Sequence, residues 1–191
     1  MTNKTVKAKY PEVGICGLSC RLCPAYNAKK SWCGGGCKSE TRIAVGCPFI
    51  TCALKRKGVE FCWECGESDG CEKWKKHREY GKRGDSFKCY QTLDRDIEFI
   101  RKNGVSAFVK EQKRREALLR AMLDEFNDGR SKSTYCIAAT VMDENELKGA
   151  IIKAKKRAIG LDVKERARLL HSILDRIAGE KRYVLKLRKL R

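Results

Sequence analysis

The residues best equipped for chemistry are cysteines: the chain has twelve, and ten of them are Cys16, Cys20, Cys23, Cys33, Cys37, Cys47, Cys52, Cys62, Cys65 and Cys71. Their spacing reads C-x3-C-x2-C, then C-x3-C, then C-x4-C, then C-x2-C-x5-C, with nine residues between successive groups. Gaps this short let neighbouring thiolates reach one ion from a single turn, and nine-residue loops can bring two groups together into a four-sulfur shell. The ten cysteines are therefore the candidate metal ligands. They suffice for two four-Cys sites with two thiols left over, and the spacing leaves open whether the groups close consecutively or as an interleaved cross-brace.

Zinc is the favoured ion. Cys62-Trp63-Glu64-Cys65-Gly66 has the form of a zinc knuckle, in which the chain wraps back to point amides at the sulfurs, and a glycine after the second Cys tolerates a positive φ. Cys20-Arg21-Leu22-Cys23 is a second such pair without the glycine. The alternative is an iron–sulfur cluster, because Cys23-Pro24 and Cys47-Pro48 repeat the Cys-Pro step of ferredoxin motifs, although no segment carries the full C-x2-C-x2-C-x3-C-P run. Cys16, Cys20 and Cys23 also have the C-x3-C-x2-C spacing of radical S-adenosylmethionine enzymes. Those enzymes usually place an aromatic residue where Leu22 stands, and the chain lacks their strand–helix alternation. Disulfides are the weaker reading, since the polar start carries no export signal and pairs two residues apart bond poorly to each other.

The remaining candidates are better explained by structure. Cys89 and Cys136 read as buried thiols without a nearby His to activate them. His77 lies close enough to Cys71 to be a ligand, but its basic neighbours suggest a solvated turn, and His171 reads as a structural residue on a helix. Gly34-Gly35-Gly36 sits inside a ligand pair, where tight wrapping explains it. No catalytic constellation emerges.

These thiols need elements to position them. Pro11, Pro24 and Pro48 are the only prolines, and beyond residue 90 the apolar residues take helical spacing. Leu93, Ile97 and Ile100 lead to a stop at Gly104, and Ser106 can cap a long helix through Phe108, Leu119, Met122 and Phe126 that ends at Asn127-Asp128-Gly129. Asp143 with Glu146 forms a capping box for a helix ending near Gly160, and Asp162 with Glu165 repeats it for a helix stopping at Gly179. The expected fold is α with an irregular metal-stabilised region: a loop-rich half of the four-cysteine type, 1–90, packed on an α-helical half with a basic tail, 91–191.

Forty-three Lys and Arg against 24 Asp and Glu give a net charge of +19 over 191 residues, shared between the halves. The tail from Lys181 to Arg191 is the densest basic run, with six basic residues and no acid. Such charge suits an anionic partner, and Trp32, Trp63 and Trp74 could stack on bases, so a zinc-dependent nucleic-acid-binding module is a further expectation. The tail could instead meet an anionic membrane surface. No segment is apolar enough to span a membrane, and a cytoplasmic location is expected.

Taken together, CGLSCRLCPAYNA at 16–28, CGGGC at 33–37, CPFITCALKRKGVEFCWECGESDGCEKW at 47–74 and DGRSKSTYCIAATVM at 128–142 resemble the prokaryotic domain-of-unknown-function family 3795. The likeness covers most of the chain. It departs at the second group, where Cys33 and Cys37 are three residues apart and members typically have two, and at Gly70, where members often carry Pro. The resemblance implies a cytoplasmic metal-binding protein and brings no activity, substrate or partner with it.

Overall fold

The computed structural model of the chain describes residues 8–28, 33, 36–45 and 47–190; Trp32, Gly34, Gly35 and Arg191, singled out above, lie outside them. The described residues form helices α1 (Glu40–Val45), α2 (Pro48–Ile50), α3 (Glu72–Arg83), α4 (Leu93–Asn103), α5 (Val105–Phe126), α6 (Lys132–Val141), α7 (Glu144–Arg157) and α8 (Val163–Lys181). A π-helical segment, Thr51–Lys57, continues α2, and a 3-10 turn spans Cys62–Glu64. Among these residues the only β pairing is an isolated bridge between Val13 and Ser19. The expected α fold with a loop-rich first half is what the chain adopts.

The second half packs around α6, whose Tyr135, Cys136, Ile137, Ala138, Ala139 and Val141 are all buried. Its small side chains let α5 approach closely. The buried face of α5 runs Phe108, Gln112, Arg115, Leu119, Met122 and Phe126, an alternation of four- and three-residue steps that keeps one stripe inward. Arg115, a polar member of that stripe, caps the end of α6 by donating from Nη1 to the carbonyls of Ala139 at 3.1 Å and Met142 at 2.8 Å. Leu147, Ala150, Ile151 and Ala154 of α7 and Leu170, Ile173 and Leu174 of α8 complete this core.

Four local expectations change. Gly104, at φ 83°, takes the N-cap position of α5, and Ser106 lies inside the helix with its hydroxyl 3.4 Å from that of Tyr10. At α7 only half of the expected box forms: Asp143 accepts from the amides of Asn145 and Glu146, while Glu146 turns to the Tyr183 hydroxyl at 2.9 Å. The Asp162–Glu165 box is complete, but α8 runs through Gly179 and ends at Arg182, at φ 60°. His77 belongs to α3 and not to a solvated turn. Its ring lies 4.9 Å from Phe49, 5.8 Å from Trp74 and 5.3 Å from Tyr90.

The compositional boundary near residue 90 is bridged by packing. Leu22 and Cys89 join the helical core, Cys16 and Leu18 pack with Trp74, Leu93 and Ile97, and Val13 and Phe61 pack with Ile100 and Phe108. The tail closes the arrangement from the other side. Asp85 accepts from the backbone amide and guanidinium of Arg188 at 2.8–3.1 Å, Arg188 donates to the carbonyls of Gly81 and Lys82, and Gln91 donates to the Val184 carbonyl. The tail is thus a strap held by Arg188 and by Tyr183, Leu185 and Leu187 against the helical core, with Lys181 also paired to Glu146.

One buried carboxyl in α4 gives a pH-dependent prediction. Asp96 is 6% exposed, and burial pushes its pKa up to about 6, outweighing Arg95 and a hydrogen bond from the Thr92 hydroxyl. Between the ordinary carboxyl range and pH 6 the folded chain keeps a proton that the unfolded chain has lost. This contribution to stability is therefore full below about pH 4 and gone above pH 6, a swing of up to about 3 kcal/mol at ~1.4 kcal/mol per unit. Asp96→Asn keeps an acceptor for Thr92 without the charge. It should gain about 1–2 kcal/mol over the parent at pH 7.5, with the gain shrinking as pH falls to 5. Denaturant unfolding at both values checks this, and a gain that is the same at both would contradict it.

Candidate functional site

The ten clustered thiols divide by position. Cys20, Cys23, Cys33 and Cys37 line one cavity of ≈ 30 Å³, together with Tyr26, Arg42, Phe87 and Lys88. Cys52, Cys62, Cys65 and Cys71 line another of ≈ 60 Å³, with Phe49, Trp74 and the exposed Lys57 and Lys73 at its edge. The grouping is consecutive: the first two sequence groups share one cavity, and the last two share the other. Cys16 is buried with Trp74 and Leu93, and it is the first of the thiols whose charge acts on Cys62. Cys47 instead packs against Ile15, Ile50, Ala53 and Leu54. These two are the leftover thiols. As placed, no three His, Cys, Asp or Glu side chains among the described residues are arranged to hold an ion; the convergence is on the scale of the cavities.

Similar local turns present both close pairs. The Cys23 amide donates to the Cys20 carbonyl at 3.0 Å, and the Cys65 amide to the Cys62 carbonyl at 3.3 Å. Each closure puts two thiols on one side of a tight turn. The Cys37 amide also points at the Cys20 sulfur, 3.2 Å away. Cys71 immediately precedes α3, so the positive end of that helix adjoins the second set.

Glycine is needed at places other than the expected one. Gly66 is not at positive φ and has open space where a Cβ would be. Gly17, at φ 93°, has Ile97 and Trp63 side-chain atoms 3.0 Å from that position, and Gly36, at φ 152°, has the Pro11 carbonyl at 2.6 Å. Gly17 lets its loop press against α4 and the Cys62–Glu64 turn, and Gly36 lets its loop press against the backbone at Pro11. Pro48 follows Cys47 because it opens α2, where a proline's missing amide costs nothing.

An ion pair between a buried lysine and a half-buried glutamate joins the two thiol regions. Lys38, next to Cys37, donates to the Glu60 carboxylate at 2.7 Å and lies 4.1 Å from the centre of the Phe61 ring. Glu60 also accepts from the amides of Lys9 and Tyr10. Phe61 stacks on Trp63 at 4.6 Å, just before and within the Cys62–Cys65 turn. The sequence reading missed Lys38, Glu60 and Lys88, because a single charged residue in a chain this rich in them carries no mark of being buried.

Three of the clustered thiols, Cys16, Cys20 and Cys62, are made harder to ionise by their surroundings, and Cys37 is made easier. Burial pushes Cys62 up to about 12, helped by Cys16, Cys71, Cys52 and Cys65, and burial also raises Cys16. Cys20 and Cys37 share a hydrogen bond that raises Cys20 and, against burial, brings Cys37 down to about 5. Cys136 and Cys89 are pushed up to about 12 and about 11, chiefly by burial. They behave as the expected structural thiols.

Two other readings meet the structure. His77 is pushed down to about 4 by burial and by Lys88, and its Nε2 is buried without a hydrogen-bond partner among the described residues; it lines neither thiol cavity. Trp74 is 5% exposed and Trp63 is stacked on Phe61, so both serve the core. Compared with family models, curated proteins and solved structures, the chain matches none. No helix among the described residues is long and apolar enough to cross a membrane.

Proposed function

We propose that the chain is a metal-ordered module holding two structural ions. One would be held by Cys20, Cys23, Cys33 and Cys37, the other by Cys52, Cys62, Cys65 and Cys71. The observation that carries this is the sorting of eight thiols, four and four, around two separate cavities. Four soft sulfur donors suit zinc, and four protein ligands close its shell as structural sites do. A bound divalent ion would keep its coordinating thiols deprotonated, overriding the burial that pushes Cys62 up. The chain's part is to present the donors on tight turns and wall them with Phe49, Trp74 and Phe87.

An iron–sulfur cluster is the rival, since the same four thiolates could hold one. The C-x3-C-x2-C reading has less support, because Cys16 does not line the cavity that Cys20 and Cys23 share. A nucleic-acid role rests on charge alone. Of the six cations lining the grooves along α3 and α4, Arg78, Lys82, Arg95 and Arg188 are already paired with carboxylates.

The test is purification without oxygen, followed by metal analysis and a visible spectrum. About two zinc ions per chain and no colour are expected. Iron and sulfide with a brown colour would replace zinc by a cluster, and a folded chain free of metal would overturn both.

A further inference from the structure

Lys88, between the exposed Phe87 and the buried Cys89, is 7% exposed. An ammonium removed from water needs an anion beside it, because leaving it unpaired costs several kcal/mol. The chain's other buried lysine shows the usual answer, since Lys38 has Glu60 at 2.7 Å. Lys88 has no such answer. Among the described residues none of the ion pairs includes it.

What surrounds it is sulfur. Lys88 lines the cavity shared by Cys20, Cys23, Cys33 and Cys37, and the groups acting on its charge are Cys16, Cys37, Cys20 and Tyr90. Asp96 lies across a small cavity of ≈ 20 Å³ that both side chains line. That carboxyl interacts with Arg95 and Thr92 instead, and burial keeps it hard to ionise. The second thiol set differs, because Lys57 and Lys73 at its edge are exposed and water screens them.

We propose that Lys88 is the built-in counter-charge of the Cys20–Cys23–Cys33–Cys37 site, a positioning residue whose buried ammonium offsets the negative charge of that thiolate set. The inference rests on the metal-binding reading. Four thiolates around a divalent ion carry a net charge of about −2, and the thiols of this set are the more buried of the two sets. Of the two cations lining that cavity, Arg42 is half-buried and Lys88 is the buried one.

The test uses the full chain loaded with zinc, with a chromophoric chelator competing for both ions. In Lys88→Met, one ion should bind about 10–100-fold more weakly, the usual effect of removing an outer partner of a metal site, while the other is unchanged. Lys88→Arg keeps the charge and should restore the weakened ion to within a few-fold. Should Lys88→Met not fold, Lys88→Gln is read in the same way. Two ions held as tightly in Lys88→Met as in the parent would overturn the inference and leave the metal reading standing. Equal weakening of both ions would also overturn it, because that is general loss of structure. A parent chain that binds no zinc would remove the metal reading, and this inference with it.

Discussion

Cys65→Ser should lower the metal content from about two ions per chain to about one, whereas Cys47→Ser should leave it unchanged. Cys65 lines the cavity with Cys52, Cys62 and Cys71, while Cys47 packs among Ile15, Ile50, Ala53 and Leu54. A structural zinc contributes ~10–16 kcal/mol of apparent binding energy in small modules, so a site short of one thiolate loses on the order of 5 kcal/mol. For a chain of this size that lowers Tm by about 10–20 °C. Cys47→Ser loses only a half-buried apolar contact, about 1 kcal/mol. Metal analysis with calorimetry on the full chain separates the two variants. Equal metal loss in both would remove the assignment of ligands to cavities.

Arg188→Ala should cost about 3–5 kcal/mol, although the residue stands in a run that reads as a solvated basic tail. The Asp85 side chain is 0% exposed, so losing its guanidinium leaves a buried carboxylate held mainly by backbone amides. Burial alone would raise the Asp85 carboxyl, but Arg188 and the amides of Tyr90 and Arg188 hold it below the ordinary range. The stability it contributes is therefore present above about pH 4 and lost as pH falls below that. Parent and variant should converge in acid. Urea unfolding across pH checks the size, and amide exchange at Asp85 and at residue 188, whose amides pair across the strap, checks whether the tail is released. A variant within about 1 kcal/mol of the parent, its tail still protected, would show that the pair is not what holds the strap.

The helices were legible where apolar residues repeat. Leu93, Ile97 and Ile100 marked α4, and the Asp162–Glu165 box set the start of α8 within the pattern. Helix α3 was not legible, because Glu72–Arg83 is almost wholly charged and buries only Trp74 and Gly81. Helix α6 was hidden differently: its small and β-branched residues are buried on most sides, so they show no stripe. The spacing revealed the thiol groups but not their partition, since consecutive and interleaved closure use the same sequence. Nor could it identify the buried charges. Lys38, Lys88, Asp85 and Arg188 resemble their exposed neighbours in composition, and only the fold distinguishes them.

The contact between Asp85 and Arg188 spans 103 residues of chain, which has a consequence for the order of assembly. At ~5–20 residues per second, on the order of 5–20 s of synthesis separates the two partners. All ten clustered thiols are made before this interval begins, because the last of them, Cys71, precedes Asp85. A newborn chain thus has its sulfur-rich half in place while the helices that cover it, and the strap that locks it, are still to come. The fold is closed from its far end, and the thiol-bearing loops wait longest for the protein's own contacts.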